Sequence, residues 1–174
     1  MNSISNCKFN FNHSSNKNLI LDDKNFIAHN TKIKSLIYCV CETSPFLKGI
    51  IIKEKNWLLE NIDKDVQVVF DDLIAFQLVK NIYKINDIYD EIIIIKRKAI
   101  LLIALADFGG IWSLQKITSN LSKLADKILN FCLDNLSLIE IKKNVFNEYL
   151  KNKKLKYHKI NGAAKSLGLV VLSL

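Results

Sequence analysis

The sequence predicts a mainly helical fold, a helical bundle with one C-terminal β-strand, and three observations predict it. Among 174 residues there are one Pro and five Gly, too little loop punctuation for a many-turned β-fold. Apolar residues recur at three- and four-residue steps through residues 99–150, the period of helices with one buried face. Only the last eight residues, LGLVVLSL, are short, apolar and β-branched in the way a strand buried on both faces requires.

Taken in order, residues 1–18 are Asn/Ser-rich and aperiodic, which predicts a disordered or loosely attached arm. Ile33, Leu36, Ile37 and Val40 fall at helical spacing and run into Glu42-Thr43-Ser44-Pro45. Ser44 can cap a new helix whose first residue is Pro45, where the missing N–H costs nothing. Phe46, Leu47, Ile50 and Ile51 are read as one face of it, and Trp57, Leu58 and Ile62 as a second short helix after the polar break Lys53-Glu54-Lys55-Asn56. Residues 65–82 give another amphipathic helix, with Val69, Leu73, Phe76 and Val79 recurring and Leu73 and Phe76 toward the core.

The four isoleucines Ile92 to Ile95 resemble a strand in isolation. They merge through Lys96-Arg97-Lys98 into AILLIALAD, too long for an ordinary strand, and Gly109-Gly110 follows as a C-terminal stop. Residues 87–107 are therefore expected to form one buried helix. Ser113 then caps a second long helix carrying Leu114, Ile117, Leu121, Leu124, Ile128, Phe131 and Cys132, which Leu138, Ile141, Val145, Phe146 and Tyr149 extend or follow with a third. The basic stretch Lys151 to Lys159 ends this pattern as a solvated loop. The C-terminal strand has no ladder partner elsewhere in the sequence, so its polar groups stay unpaired unless more sequence follows, and the chain reads as unfinished.

The net charge is +8, but the lysines are scattered among Ile and Asn instead of forming a patch, which argues against a nucleic-acid surface. Cys7, Cys39, Cys41 and Cys132 have no metal or redox spacing and are expected to be free thiols. His13, His29 and His158 lie too far apart to suggest zinc. The N-terminal residues lack the basic and apolar regions of a secretory signal, and no apolar run approaches the about 20 residues needed to span a bilayer. A cytoplasmic location without membrane contact is the expectation.

The segment KRKAILLIALADFGGIWSL, Lys96 to Leu114, resembles a linker reading roughly KRRAALLIALADIGGxWxL in the bifunctional glutamine synthetase adenylyltransferase/adenylyl-removing enzymes, particularly those of alphaproteobacterial type. The likeness continues through Thr118 to Asp126 (TSNLSKLAD), where that family has TxxLSxLAD, and through Ser44-Pro45-Phe46-Leu47 and Trp57-Leu58-Leu59. Leu167 to Leu172 is similar to the family's first nucleotidyltransferase strand, which leads into GKxGxxELNxSSDxD. It covers roughly residues 44–174, with 61–90 carried by position alone. By this resemblance residues 19–166 are the helical N-terminal region of the adenylyl-removing domain, and residues 167–174 begin a nucleotidyltransferase (polymerase β-like) domain. Family members usually carry Arg shortly before the KR cluster, where this chain has Ile93 and Ile94.

What the resemblance implies is transfer of AMP to, and its phosphorolytic removal from, a tyrosine of glutamine synthetase. Magnesium ions and ATP or ADP are implied for the full-length family, with glutamine synthetase and the PII signal protein as partners. The acids that hold magnesium in the family are the SSDxD aspartates. Asp22-Asp23 and the adjacent Asp71-Asp72 do not replace them, because neighbours on a helix point in different directions. No catalytic, nucleotide-binding or metal residue is therefore assigned to this chain, which is expected to be inactive alone and to bind neither cofactor. Lys96, Arg97 and Lys98 are the candidates for phosphate or partner contact, against the plainer reading that they solvate one side of a helix entering the core. Asp107 belongs more naturally to turn chemistry than to catalysis. The alternative is a non-enzymatic helical interaction protein or a decayed remnant of the enzyme. A uridylyltransferase of PII fits less well, because it lacks the IALADFGG approach.

An interior-type strand without a sheet is a template for edge association. Deleting residues 167–174 is expected to leave the thermal melting of the helical part unchanged and to reduce light scattering. A large fall in melting temperature without reduced scattering would make the tail part of the core.

Overall fold

The computed structural model describes residues 2–8, 31–75 and 85–142. Among them the chain is helical, with six α-helices and a single 3-10 turn at Ile4–Asn6. The helices are α1 (Thr31–Thr43), α2 (Pro45–Lys53), α3 (Lys55–Asn61), α4 (Val66–Ile74), α5 (Ile85–Phe108) and α6 (Leu114–Lys142). No strand occurs among the described residues. The C-terminal strand expected at 167–174, the loop at 151–159 and the three histidines lie outside them. Two compact units are present, residues 1–75 with 95–122 and residues 76–94 with 123–174.

In the first unit, α1 buries Ile33, Leu36, Ile37, Val40 and Cys41 and packs on α2 and on the N-terminal 3-10 turn. Ser44 starts α2 as expected: its Oγ accepts the Leu47 N–H at 3.2 Å, and Pro45 occupies the first helical position. The buried face of α2 is Leu47, Ile50 and Ile51. Phe46, read from the sequence as part of that face, is instead 64% exposed, because it stands about 100° around the helix from Leu47. The polar break at 53–56 is a joint at Glu54, whose N–H closes α2 on the Ile50 carbonyl and whose carbonyl opens α3 by accepting from Leu58.

The helix expected over 65–82 is α4, ending at Ile74, where the Ala75 N–H turns back to Asp72 O. Its core row is Val66, Val69, Phe70 and Ile74, with Leu73 only half-buried. Phe76 and Val79 lie outside the described residues.

The Ile92 to Ile95 run is helical, inside α5. Toward the end of this helix Ala99, Leu101, Leu102, Ile103, Leu105 and Ala106 are all buried, so that stretch is enclosed on almost every side and shows no amphipathic stripe. Gly109-Gly110 stops it with two paired bonds. The Ile111 N–H reaches Ala106 O at 2.9 Å and the Gly110 N–H reaches Asp107 O at 2.9 Å, the six-to-one and five-to-two pairing that satisfies the last carbonyls of a helix. Gly110 has φ 61°, a conformation that a side chain disfavours. Gly109 is needed for a different reason, since a Cβ there would lie 2.9 Å from Leu105 O and 3.2 Å from Cys7 Cβ.

Part of the stretch read as a disordered arm is packed against this turn. Ile4 and Cys7 are each 1% exposed, and the Lys8 N–H donates to Gly109 O at 2.8 Å. At the other end of the segment, Asn2 and Ser3 pair with the entrance to α4. Two buried apolar side chains and hydrogen bonds at both ends thus seat a polar stretch.

Ser113 opens α6, with the Lys116 N–H 3.4 Å from its Oγ. The apolar repeat of this helix separates into two rows. Ile117, Leu124, Phe131 and Ile139 are buried, whereas Leu114, Leu121, Leu129 and Leu136 are exposed. Leu114 and Leu121, read from the sequence as part of the same repeat as Ile117 and Leu124, therefore belong to a flank. In the second unit Ile88, Phe131 and Ile139 form a cluster that Ile92 joins, and buried Asn135 donates to the Phe131 carbonyl at 2.9 Å.

Replacing Gly110 by Ala is expected to cost about 1–2 kcal/mol from its left-handed φ alone, and Gly109→Ala about 1–3 kcal/mol from forced displacement of backbone. Urea unfolding measures both, and wild-type midpoints would show that the turn does not need either glycine.

Candidate functional site

The basic trio suggested by the sequence sits on α5 and divides by direction. Lys96 is exposed. The Arg97 guanidinium is paired with the Glu54 carboxylate, donating from Nε to Oε1. Lys98 Nζ stands 3.9 Å from the other Glu54 oxygen and 5.5 Å from the ring centre of Trp57. Glu54 itself is buried, with its side chain 8% exposed against 26% for Arg97 and 22% for Lys98.

A carboxylate withdrawn from water needs its charge and lone pairs matched, and this one receives a guanidinium and an ammonium from one helix. Glu54 closes α2 and opens α3 through its backbone, so its side chain ties that joint to α5. Two charges of the trio thus serve an internal ion cluster, and Lys96 alone points its charge outward. Nothing in the one-dimensional pattern marks Glu54: it lies between two lysines, and its partner is 43 positions away.

The carboxylates raise the question of a metal centre. Asp63-Lys64-Asp65 has the alternate spacing of a paired-aspartate motif, which the sequence reading passed over. In the structure Asp65 is the cap of α4. Its Oδ1 accepts from the Gln67 and Val68 N–H groups at 2.9 and 3.3 Å, and its Oδ2 from Asn2 N–H at 2.9 Å. The Asn2 bond does most to hold this carboxyl below the ordinary aspartate range; burial opposes it, and the Val68 and Gln67 bonds add to it. Asp71 Oδ1 accepts from Gln67 Nε2 at 2.9 Å, and Gln67 Oε1 in turn accepts from buried Asn120 at 3.2 Å. No group of three metal-ligating side chains gathers among the described residues. Both Asp65 oxygens are committed to backbone donors, so the alternate spacing here serves a helix cap. Asp107 is exposed and contributes its backbone carbonyl to the Gly-Gly turn.

The four cysteines are free thiols. Burial pushes Cys41 up to about 11 and raises Cys7 and Cys132 as well, with Lys32 partly offsetting the effect at Cys7. Thiols shifted this way stay protonated near neutral pH and are poor nucleophiles. Beside the Gly-Gly turn, Trp112 is buried edge-to-face against Phe70, with ring centres 5.9 Å apart. Lys116 Nζ stands 5.6 Å from the centre of its indole.

A family model, that of glutamate-ammonia ligase adenylyltransferase, matches residues 33–157, a span that takes in the Glu54 cluster, the Gly-Gly turn and both long helices. Comparison with curated proteins and with solved structures finds no match. No helix among the described residues is long and apolar enough to cross a membrane.

The geometry ranks the trio by stability. Arg97→Ala leaves a buried carboxylate with one distant cation and is expected to cost about 3 kcal/mol. Lys98→Ala should cost about 1 kcal/mol, as for a partly exposed pair, and Lys96→Ala no more than about 0.5 kcal/mol. Chemical denaturation of the three variants checks the order, and equal effects would contradict an internal role for Glu54.

Proposed function

Because the chain belongs to the glutamate-ammonia ligase adenylyltransferase family, we propose that it is the helical, non-transferring part of an enzyme that adenylylates and deadenylylates glutamine synthetase. The observation that carries this reading is the family match across residues 33–157, which includes the α5–Gly-Gly–α6 element. Glutamine synthetase is the protein on which this family acts, so the cytoplasm is the compartment we assign. The adenylyl-removing half of the enzyme and a PII-type regulator are our assignments from the sequence resemblance.

Nucleotidyl transfer needs carboxylates placed to hold magnesium at the attacking and leaving oxygens. Three of the carboxylates described here are committed elsewhere: Glu54 to Arg97 and Lys98, Asp65 to a helix cap, and Asp71 to Gln67. In our reading magnesium and ATP or ADP bind the family's SSDxD-bearing domain. The helices supply a platform whose internal charges are neutralised, and Lys96 is the member of the trio we assign to phosphate or partner contact.

Incubation of the purified chain with adenylylated glutamine synthetase, magnesium and phosphate is expected to release no ADP above background. Release that scales with the chain's concentration would overturn the assignment of a non-transferring role.

A further inference from the structure

We propose that Asn2–Lys8 is a releasable strap, closed over a groove between the entrance to α4 and the Gly-Gly turn, which opens without unfolding the helices beneath it.

Among the described residues of the first unit, the segment is held at both of its ends. At one end the Asn2 N–H donates to Asp65 Oδ2 and the Asn2 carbonyl accepts the Val66 N–H, both at 2.9 Å, while the Ser5 N–H approaches Ile62 O at 3.4 Å. At the other end the Lys8 N–H donates to Gly109 O at 2.8 Å, and Cys7 Sγ lies 3.7 Å from Lys32 O. Between these ends Ile4 and Cys7 are buried side by side with the helices. The only regular structure within the segment is one 3-10 turn, closed by Asn6 N–H to Ser3 O and Cys7 N–H to Ile4 O.

What makes the strap separable is that the elements beneath it remain satisfied when it leaves. Asp65 keeps the Gln67 and Val68 N–H groups and so still caps α4, and its carbonyl still accepts from Val69. The Gly-Gly turn keeps both of its own closing bonds, because the strap uses the Gly109 carbonyl, which neither of them needs. The groups uncovered include the Val66 N–H, Asp65 Oδ2, the Ile62, Lys32 and Gly109 carbonyls and the apolar hollow that held Ile4. Backbone groups of this kind can face water or receive another extended segment. Local opening of a segment with few buried side chains precedes global unfolding in the hierarchy of native-state fluctuations.

Cys7 reports on the strap and Cys41, in the core of α1, on the helices. Alkylation by iodoacetamide is followed at each thiol in the native full-length chain by mass spectrometry. Each rate is divided by that of the same thiol in the urea-unfolded chain, which removes differences in intrinsic reactivity. The expected result is a normalised Cys7 rate at least about tenfold above that of Cys41 and nearly independent of urea below the unfolding transition, since little surface is exposed by local opening. Ile4→Ala, which empties the hollow without touching the hydrogen bonds, should raise the Cys7 rate a further severalfold and leave that of Cys41 unchanged. Equal normalised rates with the same urea dependence, or an Ile4→Ala variant in which both thiols accelerate together, would overturn the proposal and make the strap an integral part of the helical core.

Discussion

Between Phe108 and Leu114 the chain has to end one helix, satisfy its last carbonyls and begin another, and the geometry of that short passage constrains everything packed around it. Gly110 supplies a backbone conformation that L side chains disfavour, and Gly109 supplies absence of bulk. The two glycines are therefore not interchangeable: one answers a torsional demand and the other a steric one. Because Gly109 lacks a Cβ, the N-terminal segment comes close enough to use its carbonyl, and Trp112 can settle against Phe70 one step further on.

Charge is distributed by a similar economy. The composition is strongly basic, yet the basic cluster at the middle of α5 turns two of its three members inward onto one buried carboxylate. An ion cluster in a low-dielectric place contributes little net stability over an apolar packing of the same volume, but it fixes register, since a displaced Glu54 would be buried without a counter-charge. Its effect is to set the α2–α3 joint against a defined turn of α5. The overall charge of the chain consequently says little about what the protein touches, and the direction of each side chain says more.

Much of this was legible in the residues. Caps at Ser44 and Ser113, the proline at the start of α2, the Gly-Gly stop and the helical nature of Ile92 to Ile95 all follow from short-range chemistry, where a side chain and the backbone it serves lie within a few positions. The family likeness was legible for the same reason, being concentrated in one unbroken run from Lys96 to Leu114. What escaped were pairings between distant positions: Glu54 with Arg97, Asn2 with Asp65, Lys8 with Gly109. The two leucine rows of α6 show an intermediate case. Period alone identifies both rows as apolar, but which of them is covered depends on neighbours that no local pattern specifies. Asp63-Lys64-Asp65 shows the converse hazard, because a spacing suggestive of metal binding belongs to a helix cap.

The contact between Lys8 and Gly109 also has a meaning in time. During synthesis the N-terminal residues leave the ribosome long before their acceptor exists: about a hundred residues at 5–20 residues per second is on the order of 5–20 seconds. Over that interval the caps at Ser44 and Asp65 close locally, whereas Ile4 and Cys7 have only part of their eventual surroundings. Residues 2–8 are thus among the last to find their final place, and a nascent chain carries an uncovered isoleucine and a thiol until the turn at Gly109-Gly110 has formed.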